Sequence, residues 1–334
     1  MKLGHEPTVA KSPTRVDLAG GTLDCWPLYL FLNDPLTVNV AIDIFTMATL
    51  TPRRDKKVRL VTRDLKFDIE FASLAECLES SEPAFDLVRA HLNYWQEKIG
   101  DHGFDLETAS QSPVGGGLGG SSSLCISILK VFKTWLEVDM SESDTVRLAS
   151  HLEARMLMKP TGTQDYFPPI QGRLCFITYG AAGPTCERRK IDKELFRDRF
   201  VLVYTGRSHH SGINNWQVIK DWLDGDERTR KAMTDLAEIS KSLGSALAAG
   251  TYDLLPDLFD REYEARTRLS EGFSSPEIRK IHEIAKANGG TAKICGAGGG
   301  GCVLLWSHDR HADKLRHAAE AAGFKVLSAQ PWEP

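Results

Sequence analysis

Ten of the 28 glycines in this chain fall in two short runs, 115–120 and 296–301. Such runs constrain a fold more tightly than any apolar stripe. Glycine reaches positive φ freely and lets main chain approach main chain or a bound anion closely. The first run reads Pro113-Val114-Gly115-Gly116-Gly117-Leu118-Gly119-Gly120-Ser121-Ser122-Ser123. A strand-like stretch at 103–109 precedes it, and a helix with Leu124, Ile128, Val131 and Trp135 on one face follows it. Backbone N–H groups at a helix start form an anion site, aided by the helix dipole, and the serines add hydroxyls. The second run joins two short strands, 291–295 and 302–306, although a hairpin alone does not need four consecutive glycines.

Several glycine motifs compete for the first run. Gly115-x-Gly117-x-x-Gly120 matches the dinucleotide fingerprint in form. That unit also needs a strand after its helix, ending in an acid that holds the ribose. Here another helix, 142–158, comes next. A P-loop requires a lysine after its last glycine, and none follows Gly120. The HRD and DFG partners of a protein-kinase glycine loop are absent.

With 334 residues the chain forms two domains or one large one. A net charge of −4 excludes a basic sheath for nucleic acid. No run of about 18 apolar residues predicts a membrane span. The first residues lack the apolar stretch of a secretory signal, and the seven cysteines include no CxxC pair. The expectation is a cytoplasmic protein with reduced cysteines and no nucleic-acid or membrane partner. Strands are predicted at 36–50, 57–63, 66–71 and 103–109, and a helix through Phe85, Val88, Leu92 and Trp95. Ser141-x-x-Asp144 opens a helix that stops before Pro160. A loop at 160–172 and a strand at 173–180 follow, and 181–190 reads as the domain boundary. The second half is a strand at 200–205, helices at 211–224, 226–248, 252–270 and 276–287, the glycine hairpin, a helix at 310–322 and a strand at 324–328.

Three ordered motifs together resemble the GHMP kinase superfamily, which includes galactokinase, homoserine kinase and mevalonate kinase. They are Ser12-Pro13-Thr14-Arg15-Val16-Asp17-Leu18-Ala19-Gly20-Gly21-Thr22-Leu23-Asp24, the first glycine run, and Lys293-Ile294-Cys295-Gly296-Ala297-Gly298-Gly299-Gly300-Gly301-Cys302. The resemblance covers the whole chain. It implies a two-domain α+β fold: an N-terminal mixed sheet with helices over 1–185, and a C-terminal ferredoxin-like domain over 190–334. It also implies phosphorylation of a small-molecule hydroxyl by ATP with Mg²⁺.

The same resemblance assigns roles. Gly115, Gly116, Gly117, Leu118, Gly119, Gly120, Ser121 and Ser122 would cradle the nucleotide phosphates. Ser121 and Glu153 would hold the metal. Asp165, in Gly162-Thr163-Gln164-Asp165, lies twelve residues after Glu153 and is the expected base or orienting carboxylate. Arg15 would place a fixed positive charge beside that carboxylate and the transferring phosphate. Asp24 aligns with a sugar-binding aspartate of galactokinase and is absent from mevalonate kinases. Carboxylates suit neutral polyols because they accept several hydroxyl bonds at once. Arg15 and Asp24 therefore favour a sugar over mevalonate. Galactokinase has G-E-H-T-D where this chain has Gly20-Gly21-Thr22-Leu23-Asp24. The small residues, Gly21 and Thr22 among them, would leave room for a longer or phosphorylated polyol. The double-glycine start and Thr205-Gly206-Arg207-Ser208 look more like heptose kinases, although those usually read A-G-G-G-T-D. Arg207, Gly298 and Gly299 are further candidate substrate contacts, and His209-His210 reads as a polar surface pair. A superfamily member that only senses sugar would not need to keep Ser121, Glu153 and Asp165.

Overall fold

The computed structural model describes residues 6–208 and 211–334, apart from the side chains of 211–214 and 271. Its first half is a seven-stranded mixed sheet: β1 (Thr8–Ala19), β2 (Leu36–Pro52), β3 (Val58–Thr62), β4 (Phe67–Phe71), β5 (Phe104–Ser110), β6 (Leu174–Gly180) and β7 (Gly183–Arg189). The order is β4-β3-β5-β2-β6-β7, with β1 along the other side of β2. Only β3 and β5 run parallel. Helices α1 (Leu74–Glu79), α2 (Asp86–Ile99), α3 (Gly120–Trp135), α4 (Glu142–Leu157) and α5 (Pro168–Gln171) complete this half.

Besides the unread short helices Leu74–Glu79, Pro168–Gln171 and Lys193–Arg197, two strands differ from the sequence expectation. β1 went unread because its periodicity is hidden. Ser12, Thr14, Arg15 and Asp17 are all buried, so polar residues occupy positions that pattern reasoning reserves for apolar ones. Residues 181–190, read as the domain boundary, are not irregular chain. They form the turn and last strand of the β6–β7 hairpin, whose half-exposed polar face imitates a loop. Elsewhere local chemistry behaves as expected. Ser141 Oγ accepts the Asp144 N–H at 3.1 Å and opens α4, which closes with Met158 in the left-handed region.

The second half contains β8 (Phe200–Tyr204), β9 (Gly290–Ile294), β10 (Cys302–Ser307) and β11 (Lys325–Leu327) in the order β11-β8-β10-β9, all antiparallel. A short helix α6 (Lys193–Arg197) leads in. Helices α7 (Ser211–Asp224), α8 (Glu227–Ala249), α9 (Leu255–Leu269) and α10 (Pro276–Ala287) separate β8 from β9, and α11 (Ala312–Ala321) separates β10 from β11. This is the βαββαβ ferredoxin-like order with extra helices in the first crossover. One apolar cluster spans both halves, joining Val16, Val38 and Val40 to Leu202, Leu236, Leu243 and Leu304. A second lies under α2, α3 and α4. No helix among the described residues is long and apolar enough to cross a membrane.

The second cluster holds one misplaced titratable group. His91 is fully buried, and among the described residues neither ring nitrogen has a hydrogen-bond partner. Burial pushes its pKa down from 6.5 to about 3. The unfolded chain therefore binds a proton that the fold refuses, and stability is lost as pH falls below 6.5. The slope is about 1.4 kcal/mol per pH unit. His91→Leu removes this loss, so the melting temperatures of variant and wild type should separate between pH 7 and pH 5, with the variant higher. Parallel curves would sink this account.

Candidate active site

Arg15 organises the site. It lies on β1 opposite Ala41 of β2, with 3% of its side chain exposed. Its Nε and Nη2 donate to Asp165 Oδ1 at 2.7 and 2.5 Å, and its Nη1 donates to the Gly117 carbonyl at 2.6 Å. Its backbone N–H donates to the Leu118 carbonyl at 3.0 Å. One side chain thereby fixes a carboxylate and the first glycine run together. Burial opposes the Arg15 charge, but Asp165 and Asp17 outweigh it and hold the guanidinium above its ordinary pKa. Both Arg15 donors fall on Oδ1 of Asp165. Among the described residues Oδ2 accepts no protein hydrogen bond, and it lies where a Cβ on Gly119 would stand 3.4 Å away.

The glycine run takes positive φ at every second residue, Gly115, Gly117 and Gly119. Alternation of this kind turns successive N–H groups toward one side as an anion nest. Gly119 then caps α3, whose first N–H groups have no intrahelical acceptor. Phosphate bound here would meet the nest, the helix start and the exposed Ser121.

Glu153, on α4, is buried behind that helix start. Its Oε2 accepts from Ser122 Oγ at 2.7 Å and from the Tyr166 hydroxyl at 2.6 Å. Burial raises its pKa, against the hydroxyls of Ser121, Tyr166 and Ser122. No cation pairs with it among the described residues, which contain no cluster of three metal-ligating side chains. The protein thus offers one carboxylate and one hydroxyl, Glu153 and Ser121. That hard-oxygen pair suits Mg²⁺, which takes few protein ligands and completes its shell with water and phosphate.

Asp24 faces the same loop as Asp165. Its Oδ2 accepts the Gln164 N–H at 3.1 Å, and a Cβ on Gly162 would stand 1.8 Å from that oxygen. Burial, then the Asp165 charge, push its pKa up to about 6, against the Gln164 N–H and Arg15. Asp24 therefore gains its charge across a pH of about 6, and the ionised form is the better acceptor of hydroxyl bonds. The KM for the hydroxyl substrate should fall as pH rises from 5 to 7, and Asp24→Asn should flatten that dependence. A slope retained in the variant would count against a substrate-binding role for Asp24.

The GHMP kinases N terminal domain model matches residues 86–173, and the GHMP kinases C terminal model matches residues 245–325. Together they cover just over half of the chain. The chain belongs to the GHMP kinases. It is 27% identical over 304 residues to the D-glycero-alpha-D-manno-heptose 7-phosphate kinase of Campylobacter jejuni, covering 89% of this chain and 88% of the relative. It is 26% identical over 336 residues to the bifunctional fucokinase/GDP-fucose pyrophosphorylase of Arabidopsis thaliana, covering 94% of this chain and 31% of that protein. In fold it is similar to Lactococcus lactis galactokinase complexed with galactose, at a TM-score of 0.81 and 20% identity, over 98% of this chain and 94% of the other.

The second glycine run of this GHMP kinase packs directly on the first. A Cβ on Gly296 would stand 2.9 Å from the Gly117 Cα, and Cys302 N–H donates to the Gly116 carbonyl at 2.8 Å. Both runs are glycine-rich because main chain meets main chain there. Gly298 and Gly299 lie on Phe273, whose carbonyl accepts the Gly299 N–H at 3.0 Å. Arg207 pairs with Glu277 at 3.4 Å, and among the described residues it makes no contact with Asp24 or Asp165. His209 and His210 lie outside the described residues.

The turn at Gly20–Asp24 corrects one expectation. Gly21 does not leave space for a larger substrate: a Cβ there would stand 2.0 Å from Arg266 Nη2 and 2.5 Å from Asp17 Oδ2. Sequence reasoning also passed over the charges beneath that turn, Asp17, Glu262, Arg266 and Lys293. The signal was available in part. Asp17 and Lys293 each sit inside an apolar strand motif, where a lone charge implies a buried partner of opposite sign.

Proposed function

We propose that this GHMP kinase transfers the γ-phosphate of ATP to a hydroxyl of a sugar of the heptose or hexose type. The observation that carries this reading is Asp165. Arg15 anchors one oxygen, the other accepts no protein hydrogen bond among the described residues, and Asp24 accepts the N–H of the neighbouring Gln164. The free oxygen takes the hydroxyl proton, while Asp24 accepts hydroxyl bonds and orients the sugar. Phosphoryl transfer is loose and needs positioning and charge neutralisation more than covalent chemistry. Here the glycine nest, the α3 start and Arg15 meet those needs. Ser121 and Glu153 would hold Mg²⁺, which would neutralise charge on the phosphate oxygens.

The heptose preference draws on the Campylobacter jejuni relative, which spans nearly the whole chain. Mevalonate kinases are also similar, at 24–25% identity, but the buried Asp24 favours a neutral polyol. The test is turnover with Mg·ATP over heptoses, heptose phosphates, fucose, galactose and mevalonate, with ³¹P spectra locating the new ester. Phosphorylation of a sugar is the expected result. Turnover of mevalonate alone, or of no acceptor, would overturn the reading.

A further inference from the structure

Four charges are sealed beneath the Gly20–Asp24 turn. Asp17 comes from β1, Glu262 and Arg266 from α9, and Lys293 from β9, and each side chain has 0% exposure. Lys293 Nζ stands 3.1 Å from Asp17 Oδ2 and 3.1 Å from Glu262 Oε1. Arg266 Nε stands 3.1 Å from Glu262 Oε1, and Arg266 Nη2 stands 3.8 Å from Asp17 Oδ2. Two cations face two carboxylates, so the group is neutral. A packed apolar set commonly folds as stably as such a cluster or better, so stability alone does not explain it.

Its contacts do. Asp17 Oδ1 accepts the Gly296 N–H at 3.1 Å, and Arg266 Nη1 donates to the Gly296 carbonyl, so both polar groups of that glycine are gripped. Arg266 Nη2 lies 3.5 Å from the Thr22 hydroxyl. Thr22 holds a φ of 79°, which a β-branched residue seldom adopts without support. The Phe273 ring lies 5.6 Å from the Arg266 guanidinium, and the Phe273 backbone carbonyl accepts the Gly299 N–H. Gly296 in turn abuts Gly117, whose carbonyl binds Arg15, which holds Asp165.

We propose that Arg266, oriented by Glu262, is a positioning residue for phosphoryl transfer. Its planar fork sets the acceptor turn through Thr22 and seats the second glycine run on the first through Gly296, and so aligns Arg15 and Asp165. Lysine keeps the charge but cannot reach Glu262, Thr22 and Gly296 at once. This inference rests on the kinase reading above.

The test is Arg266→Lys in the full chain. The variant is expected to fold, with kcat/KM for the sugar reduced about 10- to 100-fold and weaker Mg·ATP binding, because small misplacements are costly in transfer reactions. Combining it with Thr22→Val should lose less than the product of the single losses, since both act on one contact. A folded variant with wild-type kcat and KM, even at a lowered melting temperature, overturns the proposal. Should it not fold, Glu262→Gln of the same shape is read in its place, and wild-type kinetics there overturn it equally. If neither variant folds, the quartet serves folding and the positioning role is lost. Wild-type protein that phosphorylates no sugar sinks the functional reading alone. The Mg·ATP titration of Arg266→Lys then still decides, and unchanged affinity counts against positioning.

Discussion

Asp165→Asn is expected to lower kcat by about 10²- to 10⁴-fold, the range for removing a positioned proton acceptor. Asparagine keeps the size of the side chain and an oxygen for Arg15. It loses the second carboxylate oxygen, the one free of protein hydrogen bonds among the described residues. In the proposed function Mg·ATP would rest on the glycine nest, the α3 start, Ser121 and Glu153, none of which the substitution alters, so nucleotide affinity should change little. A fall in kcat without a matching rise in KM marks an interaction made only in the transition state. Steady-state kinetics beside a nucleotide titration separate the two. An unimpaired kcat would remove Asp165 from the chemistry.

The largest stability effect is expected at Asp17. Burial works to raise its pKa, but Lys293, Arg266 and Arg15 together hold it below the ordinary value. Asp17→Asn leaves Lys293 and Arg266 facing Glu262 alone and strands a positive charge in a fully buried cluster. Removing one partner of such a cluster costs about 3–5 kcal/mol. For a chain of this size the melting temperature should drop on the order of 10 °C. Asp101, which pairs with Lys56 at 2.6 Å on the surface, provides the control, and Asp101→Asn should leave the melting temperature unchanged. Equal effects at the two positions would show that burial adds nothing at Asp17.

Much of the fold was legible because its elements follow simple periods and caps. The helices after Ser141 and after the first glycine run, and the glycine hairpin at 296–301, announce themselves locally. The pieces that were not legible have separate causes. β1 carries Arg15 and Asp17 in place of apolar residues because Asp165 and Lys293 wait for them across the fold. β7 was not read as a strand because an edge strand with one open face needs little apolar content. At the candidate site, the family resemblance singled out Arg15, Asp165 and Asp24, and the structure brings them to one loop. Sequence reasoning did not locate Arg266, since an i,i+4 acid–base pair on a helix usually marks a solvated face. Nor does spacing reveal that Gly21 is small to admit a guanidinium rather than a ligand.

The apolar cluster that spans both sheets bears on how the protein comes apart. A linker-joined pair of domains would melt in two steps and tolerate being cut in two. Here Val38 and Val40 share a core with Leu236 and Leu304, so neither half can expose that face without the other losing its cover. Heat should release both halves in a single transition. A chain severed after Arg189 should yield two pieces that aggregate alone and recover their structure only when made together. Transplanting the ferredoxin-like half from a relative would then require the matching face of the first sheet to travel with it.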